Sequence, residues 1–428
     1  MLPKRIDMTS RERIKKSLAH KAPDRIPLDL GSTAVTGIHV TVVEKLREYF
    51  SLEKRPVKVY EPYQMLGEVD DQLRDALQID TVGLIGRKNM FGIENRNWKE
   101  FKTFWGQVVM LPGQFNTKLD ENGDLLVFPE GDISVPPSGR MPKASYFFDA
   151  IIRQPEFDES KLDYRENLEE FGEVTDEDLN YWRTEAQRLK ETGKAVVASF
   201  GGTAIGDIAL VPAVQLKHPK GIRDITEWYV STVMRIDYLH KVFEKQTDTA
   251  LSNLAKIHKA TGDAVDAVFT CGTDLGTQDT QFCSQDTFRE LYSPYYKKVN
   301  NWIHSNTNWK TFKHSCGAVE PFMQLFIEAG FDIINPVQIS AKGMDPARLK
   351  ENYGRDLVFW GGGVDTQKVL SFGTERQVAD QVMEMCEIFS VHGGFVFNTV
   401  HNIQAGTPVE NVIAMINALR EFHGIKGI

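Results

Sequence analysis

The sequence predicts an α/β fold, a closed (β/α)8 barrel, and three observations carry that prediction. Short apolar runs begin near residues 26, 81, 195, 265, 311, 331, 357 and 394. Stretches long enough for helices lie between most of them, and short apolar strands alternating with helices imply a parallel sheet. No Gly-x-Gly-x-x-Gly follows any of the runs, so an open dinucleotide-binding sheet has no support. Eight such units favour closure into a barrel.

The first element is a helix. Thr9 and Glu12 have the spacing of a capping box, and Ile14 and Leu18 form an apolar edge that ends at Ala22–Pro23. The run from Arg25 to Gly31 reads as the first strand, residues 42–49 and 63–77 as helices, and 80–85 as the second strand. From Trp98 to Ser145 the character changes. Residues 101–110 alternate, Asn122-Gly123 marks a turn, and Pro136, Pro137, Gly139 and Pro142 close the region. This is antiparallel hairpin material inserted in a single barrel domain spanning 1–428, with Trp98, Phe104 and Trp105 as its packing. A polar helix is expected at 176–192, then a buried strand from Ala195 with a glycine exit. Helices follow at 284–306, 319–329, 374–391 and 408–422. Thr374 with Gln377, and Thr407-Pro408 with Glu410, repeat the capping-box pattern, and Cys386 falls on the core face of its helix.

Composition narrows the function. With 41% hydrophobic and 25% charged residues the chain is an ordinary globular protein. A net charge of −9 argues against nucleic acid as a partner. Four scattered cysteines (Cys271, Cys283, Cys316 and Cys386) suggest no disulfide framework. The N-terminus lacks the apolar centre of a signal peptide, and no run approaches 18 apolar residues. A cytoplasmic, membrane-free protein is the expectation, with a homodimer left open.

The chemistry should lie where barrel strands end. The fifth strand reads Thr311-Phe-Lys-His-Ser-Cys-Gly317. Side chains two apart in a strand share a face, so His314 and Cys316 project together just before a glycine turn. Imidazole plus thiolate is half of a zinc site; the alternative is a pocket histidine beside a small buried thiol. The same rim should hold Asp274 and Gln278 after strand four, and Asn335 and Gln338 after strand six. Strand seven leads to Trp360, Gly361–Gly363 and Asp365, and strand eight to Asn398, His401 and Gln404. Asp274 and His401 are candidate catalytic groups. Gln278, Asn335, Gln338, Trp360, Asp365 and Asn398 are candidate substrate contacts. The three glycines either seat a phosphate or let the chain turn sharply, and the turn is favoured.

Several of these motifs together resemble the uroporphyrinogen decarboxylase superfamily. They are Glu12-Arg13 with Pro23-Asp-Arg-Ile-Pro27, Asp274-Leu-Gly-Thr-Gln278, His314-Ser-Cys-Gly317, Gly362-Gly-Val-Asp365 and Thr407-Pro-Val-Glu-Asn411. The superfamily comprises metal-free decarboxylases of uroporphyrinogen and corrinoid-dependent methyltransferases that generally use zinc. The zinc pattern of its coenzyme M methyltransferases is His-x-Cys with a distant second Cys. His314 and Cys316 match the first two members. At the strand-eight exit His401 stands where no cysteine does, so His401, with Asp274, is the candidate to complete the set. The decarboxylases share an Arg-Gln-Ala-Gly-Arg stretch that grips substrate carboxylates, whereas the strand-one exit here, 28–37, holds no arginine. The resemblance therefore implies a zinc-assisted methyltransferase working with a corrinoid protein on a small methylated molecule, such as an aryl methyl ether or a methylamine-like compound. A polycarboxylate decarboxylase using Arg87, Lys88 and Arg140, or a non-catalytic corrinoid-binding barrel, are the alternatives.

Overall fold

The computed structural model describes residues 8–154 and 158–427; the extreme N-terminus read above for a leader lies outside them. Seven parallel strands run in sequence order around a curled sheet: Thr81–Leu84, Ala195–Ala198, Ala267–Cys271, Lys310–His314, Ile333–Asn335, Val358–Trp360 and Phe395–Val396. The predicted first strand is reduced to a single residue. Leu28 bridges Phe397 in parallel on one side, and on the other its carbonyl accepts the Asp80 N–H at 2.8 Å. That one position closes the ring of eight.

Strand alternation sorts the apolar side chains. Ala195, Val197, Ala267, Phe312, Ile333, Val358, Trp360 and Val396 fill the barrel interior, and Ile14 and Leu18 join them from below. The N-terminal helix Ser10–Leu18 thus plugs the barrel floor. Both of its capping-box bonds form, between Thr9 and Glu12. Nine residues are too few to hold a helix alone; burying Ile14 and Leu18, at ~1.5–3 kcal/mol each, holds it in place.

Several elements differ from expectation. The helix expected over 63–77 exists only as Asp71–Leu77, because the Asp70 side chain caps it by accepting the Leu73 N–H. The preceding residues form strands Val57–Glu61 and Leu66–Gly67. The inserted region is larger than one hairpin. Lys99–Lys102 and Val108–Leu111 join those two strands in one four-stranded sheet, and Thr117–Leu119, Leu125–Val127, Gly139–Met141 and Asp149–Ala150 make a second. Long helices at Ile225–Met234 and Ile236–Thr261 went unforeseen. The Thr374–Gln377 box is present, but Pro408 occupies the N-cap of Val409–Phe422 and no side chain caps that helix. A proline N-cap offers no side-chain acceptor. Cys386 is buried on its helix as expected, and among the described residues no helix is long and apolar enough to cross a membrane.

A buried charge network fastens the floor. Asp80, fully buried, accepts from Arg13 at 2.6 Å, from Arg25 at 2.7 Å and from the Leu28 N–H at 2.9 Å. Arg13 also pairs with Asp24 at 2.7 Å. Losing one partner of a buried pair strands the other charge. Asp80→Asn should therefore cost ~3–5 kcal/mol in urea unfolding, against little change for Lys161→Ala, whose ion pair is exposed.

Candidate active site

His314 ends the fifth strand facing the barrel axis, two residues beyond Phe312 in the interior cluster. Its Nδ1 lies 2.6 Å from Oδ1 of Asn335, whose Nδ2 donates to the Trp360 carbonyl at 2.7 Å. The second bond fixes the Asn335 amide, so its oxygen faces the imidazole and His314 carries its proton on Nδ1. The Nε2 lone pair is then turned to Cys316, whose Sγ is 3.3 Å away. Burial, against the help of Asn335, pushes the His314 pKa down to about 4. Burial and the neighbouring Asp274 carboxylate push the Cys316 thiol well up. At neutral pH the pair is an uncharged imidazole and an uncharged thiol.

Asp274 and His401 join this pair. Oδ1 of Asp274 accepts the Cys316 N–H at 2.6 Å and lies 3.8 Å from His314 Nε2. Its side chain is 35% exposed, so this carboxylate meets solvent beside the pair. The His401 ring stands edge-on to His314, centroids 5.2 Å apart. Its backbone φ of +71° is in the left-handed region that non-glycine residues rarely adopt. Asn402 holds that turn: its Oδ1 accepts the Gly37 N–H, its Nδ2 donates to Ala34 and Gln64, and its N–H donates to His401 Nδ1. A neutral His401 so bonded carries its proton on Nε2. Burial, and then His314, push its pKa down to about 4. Ligand atoms of His314, Cys316 and His401 all lie within 4.8 Å of one another.

That trio fits a zinc ion by donor type. Nitrogen and sulfur ligands at ~2.0–2.3 Å from zinc would stand about 3.6 Å apart in a tetrahedron, close to the 3.3 Å between His314 and Cys316. The Asn335 bond, which leaves Nε2 as the free lone pair, is the outer-shell support a histidine ligand takes. His401 can ligate through Nε2 only when its proton moves to Nδ1, which gives up the Asn402 N–H bond. It is the weakest donor of the three.

The other predicted contacts go elsewhere. Trp360, expected at the rim, is fully buried inside the barrel, packs on Phe312 and donates to Asp29 at 2.9 Å. Gln338 accepts the Gly317 N–H and donates to Gln278, which donates to the Ser340 carbonyl; the two amides pin the loop under the site. Asp365 accepts the Gln367 N–H, and Asn398 donates to the Asp29 carbonyl. A Cβ at Gly361 would meet the Pro336 carbonyl oxygen at 2.2 Å, so close packing demands that glycine. Gly317, at φ +85°, lets loops four and five touch.

Three carboxylates escaped the sequence reading. Asp29, fully buried after strand one, accepts from Thr81, Ser32 and Trp360; burial pushes its pKa up. Glu61 accepts the Tyr63 and Gln64 N–H groups, and burial pushes it up to about 7. Asp207, in the loop after strand three, is pushed up to about 6 by burial and, to a lesser degree, by Asp274. Only the glycine exit Phe200-Gly201-Gly202 signalled that the chain turns over the rim there.

Because His314 and His401 titrate near 4 folded and near 6.5 unfolded, the unfolded chain binds more protons between those values. The stability their neutral forms contribute is full above pH 6.5 and lost as pH falls through 4. Urea midpoints should drop from about pH 7 to about pH 5. Imidazole 15N spectra of the metal-free protein near neutral pH should report the Nδ1–H tautomer for His314 and the Nε2–H tautomer for His401.

No curated protein sequence matches the chain. Among solved structures it is similar to a methyltransferase from Methanosarcina mazei, at 15% identity and a TM-score of 0.54, covering 97% of this chain and 99% of that one. It also aligns with the Ignisphaera aggregans GH53 catalytic domain at 12% identity and a TM-score of 0.34, over 92% of this chain and 98% of that one. The first likeness supports the barrel fold. The family model for uroporphyrinogen decarboxylase (URO-D) matches residues 154–422, more than half of the chain and all of strands three to eight. The chain belongs to the uroporphyrinogen decarboxylase (URO-D) family.

Proposed function

We propose that this protein is a methyltransferase that moves a methyl group between a small methylated molecule and a corrinoid carried by a partner protein, with zinc at His314, Cys316 and His401. The observation that carries the reading is the convergence of those ligand atoms within 4.8 Å at the mouth of the barrel. When bound, zinc would supply Lewis acidity to a thiol acceptor or to the heteroatom that bears the methyl group.

The chain's own groups do the rest. Asn335 holds the imidazole of His314 in the tautomer that leaves Nε2 free. Asp274 orients the Cys316 backbone and, partly exposed beside it, is the carboxylate able to exchange a proton with a bound small molecule. A polycarboxylate decarboxylase is the weaker reading because its substrate needs cations. Arg87 is engaged by Glu94, Glu177 and Asp178, Arg140 by Asp124, and Lys88 lies 3.9 Å from Glu130.

Purified protein should hold about one zinc per chain, by the stoichiometry of such sites. Cys316→Ala should lose the metal and methyl transfer to cob(I)alamin while its Tm moves little, since one small side chain is removed. Metal-free protein from zinc-replete cells, or normal turnover by the variant, would overturn the reading. A second check follows from protonation. At neutral pH the Cys316 thiol is protonated and both histidines are neutral. Zinc loading should therefore release about one proton per ion, measured by calorimetry in buffers of different ionisation enthalpy, and none in Cys316→Ala.

A further inference from the structure

Strand alternation carries Asn398 over the barrel axis. Val396 packs inside the barrel with Trp360 and Phe312, and Asn398, two residues on, projects to the same side. Asn398 is 0% exposed, and its Nδ2 donates to the Asp29 carbonyl at 2.9 Å. That bond fixes which end of the amide is nitrogen. Oδ1 faces the other way, buried and without a hydrogen-bond partner among the described residues. Leaving a buried acceptor unpaired forfeits its hydration with nothing in return. The position therefore calls for a ligand that brings an N–H or O–H.

The opposite wall is acidic. Asp207 is buried, with Oδ1 accepting the Ala209 N–H at 3.0 Å. The Gly272 N–H also donates to this carboxylate, and a Cβ at Gly272 would stand 2.8 Å from its Oδ2, so only glycine allows this approach. Asp207 and Asp274 are near enough to repel each other, and the Tyr229 hydroxyl, within electrostatic reach of both, is also buried without a partner among the described residues. The Tyr229 ring stacks on Phe282 at 5.0 Å. Lys313, fully buried, lies within electrostatic reach of Asp207 and offsets part of this charge, but its N–H groups are spent on the carbonyls of Thr273 and His314. The amides of Asn335, Gln338 and Gln278 donate within the protein.

We propose that the small molecule bound beside His314 and Cys316 carries a protonated amine, held by Asp207 and Asp274, with a further N–H reaching Oδ1 of Asn398. The proposal rests on the functional reading above and deepens it by assigning the charge of the substrate's far end. A carboxylate or sulfonate there would meet two carboxylates against the single charge of Lys313, whose N–H groups already serve carbonyls. A fully methylated ammonium would satisfy the charge but leave Asn398 unpaired.

The test uses three two-carbon thiols that differ only at the far end: cysteamine, 2-mercaptoethanol and 2-mercaptoethanesulfonate. Each is titrated into cobalt(II)-loaded full-length protein, read by the thiolate-to-cobalt absorption, and into metal-free protein, read by calorimetry. Cysteamine should bind ~10-fold or more tighter than mercaptoethanol, with the sulfonate weakest, as charged hydrogen bonds dictate. Asp207→Asn should erase most of that preference while mercaptoethanol affinity holds, and Asp274→Asn, which also frees the Cys316 N–H, should narrow the ratio of cysteamine to mercaptoethanol affinity. Equal affinities, a preference for the sulfonate, or a cysteamine preference that survives both variants would overturn the proposal. If cobalt does not bind, the metal reading falls by itself, and the calorimetric order in metal-free protein still decides the amine.

Discussion

A buried chain of hydrogen bonds ties the site to the closure of the barrel. His314 Nδ1 meets Asn335, the Asn335 amide donates to the Trp360 carbonyl, the Trp360 indole donates to Asp29, and Asn398 donates to the Asp29 carbonyl. Thr81 adds the second strand through its hydroxyl. Strands one, two, five, six, seven and eight are thereby joined through side chains inside the ring. Each of these groups is removed from water, so each must be paired within the protein or cost stability. This explains how a first strand reduced to Leu28 still closes the ring: Asp29, its neighbour, bonds three other strands.

The same relay sets the electrostatics of the mouth. By holding His314 on one tautomer in a dry environment, it keeps the imidazole neutral and its Nε2 lone pair open, with the Cys316 thiol beside it. A low local dielectric disfavours charge on either group, so an incoming cation or metal meets unprotonated nitrogen at His314 without displacing a proton from it. The acidic groups, Asp274 and Asp207, stand at the edge of this neutral centre on the loops after strands four and three. The inserted sheets brace the rim from the far side, where the His39 ring packs on Trp105 and Tyr146 and Gln64 bonds Asn402 beneath His401.

Much of this was legible in the sequence. Alternation and spacing located seven of the eight strands within two residues, because parallel strands buried on both faces must be apolar throughout. The His314–Cys316 pair was legible for a local reason, since two side chains two apart in a strand must share a face. Trp360 was misplaced because a residue at a strand end reads as rim or interior depending on a shift of one position. Leu66–Gly67 was misread as helix because that strand exists only through pairing with Val57–Glu61, which itself pairs with Val109 and Met110, far along the chain. Asp207 lies in a long loop with no periodicity, and nothing local says that it folds back toward Asp274.

The amino-acid sequence by itself determined the barrel, the family motifs and the pairing of one imidazole with one thiol, all of which follow from spacing along a few residues. Tertiary structure alone decided the remainder: that His401 comes to His314 from the eighth strand, that Asn335 chooses the tautomer, and that Asn398 and Tyr229 keep polar atoms without partners among the described residues. Those outcomes depend on contacts between residues far apart in the chain, where the register of closed strands and the path of loops set short distances that no local pattern encodes.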